Sequence, residues 1–358
     1  MHLDFVDHRA DPAGWAAQLG ISTEAVEVHQ AAEVIDLHVD SFIWTRILGY
    51  DLRKRHGRGL LGARYYSSVD FPRALEGGMT GAIWAITTSP IRTARGRQRA
   101  FRDNLARLRS IIDSVDEFAL VRTEAEYRAA RAAGKHGAFI GIQGGNALDS
   151  DAAALDAIED DAVVRITLVH LSNSGLGESS SPARLRRGHG LSTRGREYVE
   201  ALDARRIFVD LAHISQRGFA DAVEVHDPSL PLIATHTGAS GAHRSWRNLD
   251  DDQLRAIADS GGVIGVIFHG GFLGDPYFHG GSAERIIEHV AHIIDVVGED
   301  HAAIGSDYDG AIIPPRDLAT CLELPRLSQR MLERGWSAER IHKVLGGNFL
   351  RALAQLRG

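Results

Sequence analysis

Eight short apolar runs alternate with stretches of helical spacing along this chain, and that alternation leaves few folds open. The runs are EVIDLHVD from Glu33, TGAIWAI from Thr80, GAFIGIQGG from Gly137, VVRITLVH from Val163, RIFVDLAH from Arg206, PLIATHTG from Pro231, GVIGVIFHG from Gly262 and HAAIGSDYDG from His301. Helical spacing occupies residues 98–115, 123–133, 150–159, 193–205, 215–225, 250–259 and 283–297. Parallel strands need a crossover between them and a helix supplies it, so the alternation predicts a parallel α/β fold. Eight units predict a closed (β/α)8 TIM barrel in preference to an open sheet. Neither a Gly-x-Gly-x-x-Gly turn after the first strand nor a GK[ST] loop occurs to mark a nucleotide-binding sheet.

Residues 41–79 are too long for a simple βα loop and read as an insertion over the barrel mouth. Its basic segment LRKRHGRG reads as a solvated loop. No linker or repeat divides the 358 residues, so one domain is expected: an N-terminal helical segment over 1–32, the barrel over 33–310 and C-terminal helices over 311–358. The tail from Leu324 to Leu356 is expected to pack outside the barrel.

A 44% hydrophobic and 24% charged composition is that of an ordinary globular protein. A net charge of -7 without a long run of either sign argues against a nucleic-acid partner. The lone Cys321 has no partner for an internal disulfide, the first thirty residues lack a signal-peptide pattern, and no apolar stretch nears the roughly 20 residues of a membrane span. The expectation is a cytoplasmic protein free of membrane attachment. Only three of the 40 basic residues are lysines, a compositional bias that carries no functional inference.

Polar residues stand at the carboxyl ends of the runs, where barrel enzymes place their chemistry. His38 and Asp40 end the first, Gln143 the third, His170 the fourth, His213 the fifth, His236 the sixth, His269 the seventh, and Asp307 with Asp309 the eighth. One such histidine is most often a hydrogen-bonded core residue. Five on one rim each need a partner when buried, and a metal ion would supply a common one. The spacing His38-Val39-Asp40 puts both side chains on one face of a strand, and imidazole with carboxylate suits zinc or a similar divalent ion. Asp307 is placed to act as a general base, whereas Asp309, followed by Gly310, reads as a turn residue. Arg247 could clamp a substrate carboxylate, although on the residues alone a solvated arginine is the plainer reading.

The segments VIDLHVD, FIGIQGGNAL, RITLVHLSNSGLGES, GLSTRGREYVEALDARRIFVDLAHIS, PLIATHTGASGAHRSWRNLDDDQLRAIADSGGVIGVIF, HAAIGSDYDG and GGNFLRAL resemble, in order, those of the membrane (renal) dipeptidase family, zinc peptidases of the amidohydrolase type. The resemblance runs from about Val34 to Leu353. It implies a (β/α)8 barrel with two zinc ions, a homodimer, and hydrolysis of dipeptides by metal-activated water, often with a D-residue on the carboxyl side. It further implies that His38 and Asp40 hold one zinc and His213 and His236 the other. His170 would orient the substrate at the scissile carbonyl, Arg247 would bind its carboxylate, and Asp307 would serve as acid and base. Where the family has a glutamate bridging the two metals, this chain has Gln143, whose NH2 end cannot ligate and whose carbonyl oxygen is a weak ligand. One firmly held zinc is therefore expected in place of two. Two further readings stay open: a single-metal hydrolase of another C–N bond in an amino-acid-like metabolite, and a silent binder of such ligands.

Overall fold

The computed structural model describes residues 1–358 except 60, 90, 151, 183–187 and 277–279. Two helices come first, α1 (Pro12–Leu19) and α2 (Thr23–Ala31), capped by the side chains of Asp11 and Ser22. Strand β1 (Ile35–Val39) follows, then α3 (Phe42–Ile47), α4 (Phe71–Glu76), β2 (Gly81–Thr87), α5 (Ala94–Asp113), β3 (Phe118–Leu120) and α6 (Glu124–Ala132). The chain continues through β4 (His136–Gln143), β5 (Val163–Thr167), α7 (Thr193–Ala204), β6 (Phe208–Asp210), α8 (Gln216–Val225), β7 (Ile233–Thr237), α9 (Asp251–Asp259) and β8 (Val263–Val266). It ends with α10 (Gly270–Leu273), α11 (Glu284–Val297), β9 (Ala302–Ile304), α12 (Pro325–Glu333), α13 (Ala338–His342) and α14 (Asn348–Arg357).

Eight strands run parallel in the order β1-β2-β4-β5-β6-β7-β8-β9. The ring is closed beyond the last strand, where Asp40 N–H donates to Tyr308 O at 2.9 Å and Asp307 N–H donates to His38 O at 3.0 Å. The fold is thus the expected (β/α)8 barrel, with three differences. Strand β3 is an extra parallel strand that pairs with the start of β4, at His136–Ala138, ahead of the β5 pairing, in a stretch too short to show a period. Residues expected as a helix over 150–159 form instead a 3₁₀ turn at Ala152–Ala157 and a second at Glu159–Asp161. The C-terminal tail does more than pack outside. Phe349 of α14 is fully buried against Phe139 and Phe208, with ring centroids 5.3 and 6.0 Å away, among residues from the start of several strands. It plugs the amino-terminal end of the barrel, because that end would otherwise leave aromatic rings in water.

Asp309 is a main anchor of the segment between β1 and β2. Asp309 is buried and accepts hydrogen bonds from Ser41 Oγ, from Ser68 N–H at 2.7 Å and from Val69 N–H at 3.3 Å. The turn expected there exists, with Gly310 N–H donating to Asp307 O at 2.9 Å and Asp309 at φ 67°. The turn reading alone was too modest, since the carboxylate also holds the inserted segment over the carboxyl ends of the strands. The basic stretch after Leu52 is largely exposed, as expected, with Arg55 and Arg58 paired to Glu76 and Glu323.

Candidate metal centre

The floor of the site is a buried polar network inside the barrel. Arg165, in the middle of β5, is fully buried and donates to Ile142 O at 2.9 Å and Thr167 Oγ1 at 2.6 Å, with Asp210 Oδ2 3.4 Å away. Its guanidinium also meets His38 Nδ1. Room for it comes from Gly141, where a Cβ would lie 2.5 Å from Arg165 Nε. Asp210 in turn accepts from Thr167 Oγ1 at 2.6 Å and Thr235 Oγ1 at 2.7 Å. With its own hydrogen committed to Asp210, Thr235 Oγ1 is the acceptor for His236 Nδ1 at 2.8 Å. That relay places the ring proton of His236 on Nδ1 and leaves a lone pair on Nε2. Sequence reasoning passed over Arg165, Asp210 and Thr235. The available signal was a charged residue inside each of two otherwise apolar runs, since such a charge is kept buried only with partners.

Above this floor the predicted residues converge. His38 Nε2 lies 3.5 Å from Asp40 Oδ2 and 3.5 Å from Asp307 Oδ1. The His38 and His236 rings stack with centroids 3.9 Å apart, and His213 Nε2 stands 2.9 Å from His236 Nε2. Gln143 occupies the centre with its NH2 end turned to His170 Nε2 at 3.2 Å and His213 Nε2 at 3.4 Å, while its Oε1 is 3.5 Å from Thr167 Oγ1. His213 and Asp307 adopt left-handed backbone conformations, with φ of 65° and 61°, a strain that clusters at functional sites. Arg247 is buried, not solvated as the residues alone suggested, and donates from Nη2 to His236 O at 2.5 Å. His269 falls to the structural reading: its Nδ1 accepts from Ile313 N–H at 3.1 Å.

The donor set fits a metal ion. His38, His236 and Asp307 offer ligand atoms that all lie within 4.8 Å of one another, so Asp307 joins a ligand group as well as standing where a base is expected. His38 Nε2, His213 Nδ1 and Asp307 Oδ1 are buried without a hydrogen-bond partner. His213 Nε2 and His236 Nε2 face each other at 2.9 Å, close enough to share a proton or to ligate one ion. Burial, reinforced by neighbouring cations, holds His213 and His236 well below their ordinary pKa, and burial brings His170 to about 4 despite the pull of Asp40. Neutral imidazoles are the form that ligates. A guanidinium only donates, so His38 Nδ1 is the acceptor toward Arg165 and Nε2 carries the ring proton. A cation at Nε2 would require the other neutral tautomer, with the proton moved to Nδ1 and the Arg165 guanidinium turned from it. The two carboxylates differ. Burial and the like charge of Asp40 push Asp307 well above the ordinary range, whereas burial of Asp40 is outweighed by His38 and by the Thr87 hydroxyl at 3.0 Å, which keep it low.

Residues 22–357 match the model of the membrane dipeptidase family, peptidase family M19. Dipeptidase AC, a metallo peptidase of that family, superposes with a TM-score of 0.78 at 28% identity over 90% of this chain and 98% of its own. A metallo peptidase from Rhodobacter sphaeroides, solved with a phosphinate mimic of the dipeptide L-Ala-D-Ala, gives 0.79 at 27% identity over 90% and 99%. Dipeptidase ataJ of Aspergillus terreus is 27% identical over 320 residues, 80% of this chain and 76% of its own. The chain therefore belongs to the membrane dipeptidase family, and with it to the metal-dependent hydrolases.

Proposed function

We propose that this protein is a zinc dipeptidase that holds one ion firmly and cleaves the amide bond of free dipeptides, including those with a D-residue on the carboxyl side. The observation that carries the reading is the meeting of His38, His236 and Asp307 beside two facing imidazole nitrogens on the rim of the barrel. His38, Asp40, His213, His236 and Asp307 would hold metal, and when bound the ion polarises a carbonyl and acidifies water. The remaining work falls to the chain. Asp307, with its raised pKa, takes a proton from the attacking water as the C–O bond forms. It then passes that proton to the amine as the C–N bond breaks. His170, whose Nε2 stands 3.2 Å from the Gln143 amide nitrogen, would orient the substrate near the scissile carbonyl. Arg247 faces the substrate carboxylate.

Gln143 supports the single-ion stoichiometry. Two dications about 3.5 Å apart repel by roughly 19 kcal/mol at an effective dielectric of 20, and a neutral amide relieves none of it. The same residue keeps one alternative in view, a single-metal hydrolase of a different C–N bond. Metal content and turnover measured on one preparation decide. We expect close to one zinc per chain and hydrolysis within a panel of L,L and L,D dipeptides. Two firmly held ions would overturn the stoichiometry, and zinc-loaded protein that cleaves no dipeptide would overturn the activity.

A further inference from the structure

A cavity of about 900 Å³ opens beside His170, between α3, the end of β2, the start of α5 and the loop after β5. Thr87, which donates to Asp40, and His170 belong to its wall, so it leads from the surface to the metal centre. Five arginines line it, 46, 92, 97, 99 and 107, against Asp103 and Asp149, a local excess of positive charge in a chain whose net charge is -7. Arg97 is spent internally, on Asp149 at 2.5 Å and on backbone carbonyls. Among the described residues no carboxylate pairs with Arg46, Arg92, Arg99 or Arg107, and Arg107 donates only to Thr45 O at 3.2 Å.

Arg46 is the one of the four nearest Asp40 in sequence, on α3. Its guanidinium lies 5.6 Å from the centre of the Phe42 ring and its Nε is buried without a hydrogen-bond partner. Burial lowers its pKa, and the charges of Arg107 and Arg92 lower it further against the pull of Asp40, so these three guanidiniums act in one field. Unpaired like charges around a partly enclosed space are relieved by a bound anion, and a guanidinium grips a carboxylate through two parallel hydrogen bonds. The first turn of α5 borders the same space at Gly96, and its N-terminal dipole adds to the attraction for an anion.

Arg247 is not part of this lining and donates to His236 O, whereas His170 belongs to the cavity wall. With the α-carboxylate at Arg247 and the scissile carbonyl at His170, as proposed above, the amino-side residue of a dipeptide would extend into the cavity. We propose that the arginine-lined cavity selects dipeptides whose amino-side residue carries an anionic side chain, a carboxylate such as that of Glu or Asp. This rests on the dipeptidase reading above.

The test compares isosteric substrates on zinc-loaded protein. L-Glu-L-Ala is expected to exceed L-Gln-L-Ala in kcat/KM by about tenfold at low salt, in line with several partly exposed ion pairs. The preference should shrink as ionic strength rises from about 20 mM to about 0.5 M, since the arginines are solvent-accessible. L-Ala-L-Glu against L-Ala-L-Gln should show no comparable preference, which places the anion on the amino side. In the Arg46→Gln, Arg92→Gln double variant the Glu/Gln ratio should fall toward one, whereas Arg255→Gln, on the exposed face of α9, should leave it intact. Equal kcat/KM on the two amino-side substrates in the wild-type protein overturns the proposal without reference to any variant, as does a ratio that the double variant preserves. If no dipeptide is cleaved, the dipeptidase reading fails by itself. Calorimetric binding of L-Glu-L-Ala and L-Gln-L-Ala then decides the cavity, with tighter binding of the first supporting it and equal binding overturning it.

Discussion

Replacing Gln143 by Glu should turn the proposed single-ion centre into a paired one. The side chain already stands at the middle of the site, its amide nitrogen 3.2 Å from His170 Nε2 and 3.4 Å from His213 Nε2, so the substitution exchanges an NH2 for a charged oxygen with no change in length. A unit negative charge about 4 Å from a dication is worth roughly 8 kcal/mol at an effective dielectric of 20. Burying the new carboxylate costs several kcal/mol, which leaves on the order of 3 kcal/mol, or about a hundredfold in affinity for the second ion. Competition against a chromophoric chelator, with zinc measured in each sample, reads that affinity directly. The same preparations assayed on L,L and L,D dipeptides should show kcat/KM rising by about a hundredfold or more. Unchanged zinc content and affinity in the variant would refute the electrostatic reasoning. A second zinc gained with no gain in turnover would show that the missing bridge does not limit activity, and would favour a different C–N bond as the target.

Removing the Arg247 guanidinium, as in Arg247→Met, should raise KM for a free dipeptide far more than for its C-terminally amidated analogue, because only the former has a carboxylate to lose; equal effects would assign this buried arginine to structure. Thr235→Val should weaken zinc binding by about tenfold or more, and Thr235→Ser should restore it, since the hydroxyl between Asp210 and His236 sets the tautomer of that proposed ligand. Asp309→Ala should destabilise the fold by about 3 kcal/mol through the loss of three buried hydrogen bonds, measured by urea unfolding. Acid should also destabilise it. His29, His136 and His289 are held neutral by burial, with pKa brought from 6.5 to about 4, so the unfolded chain binds protons that the native one does not. Their contribution is complete above pH 6.5 and is lost as pH falls toward 4, at up to about 3 kcal/mol per group, and His136→Gln should flatten the dependence of the urea midpoint on pH.

The barrel and its metal centre were legible in the sequence to different depths. Strand and helix periods are local properties, and a chain that repeats them eight times has few ways to bury every strand, so the parallel barrel followed from the pattern alone. The rim histidines were equally visible, because the carboxyl end of a strand in such a fold has one destination. The resemblance to dipeptidases added roles to His170 and Arg247 that composition and spacing could not assign. What the pattern could not carry was any contact between residues far apart in the chain. Ser41 and Asp309 are 268 residues apart and Arg165 and His38 are 127 apart, yet barrel closure makes both pairs neighbours. For that reason Asp309 read as a turn, Arg165 and Asp210 went unremarked, and Arg247 looked like a surface arginine until its burial was seen. The arginines around the cavity show the same limit. They come from α3, from α5 and from the segment between β2 and α5, and in a chain so rich in arginine nothing local distinguishes them. Sequence determined which residues stand on the rim; the closed ring decided which of them share a proton, a charge or an ion, because those interactions depend on distances of a few ångströms between separate strands.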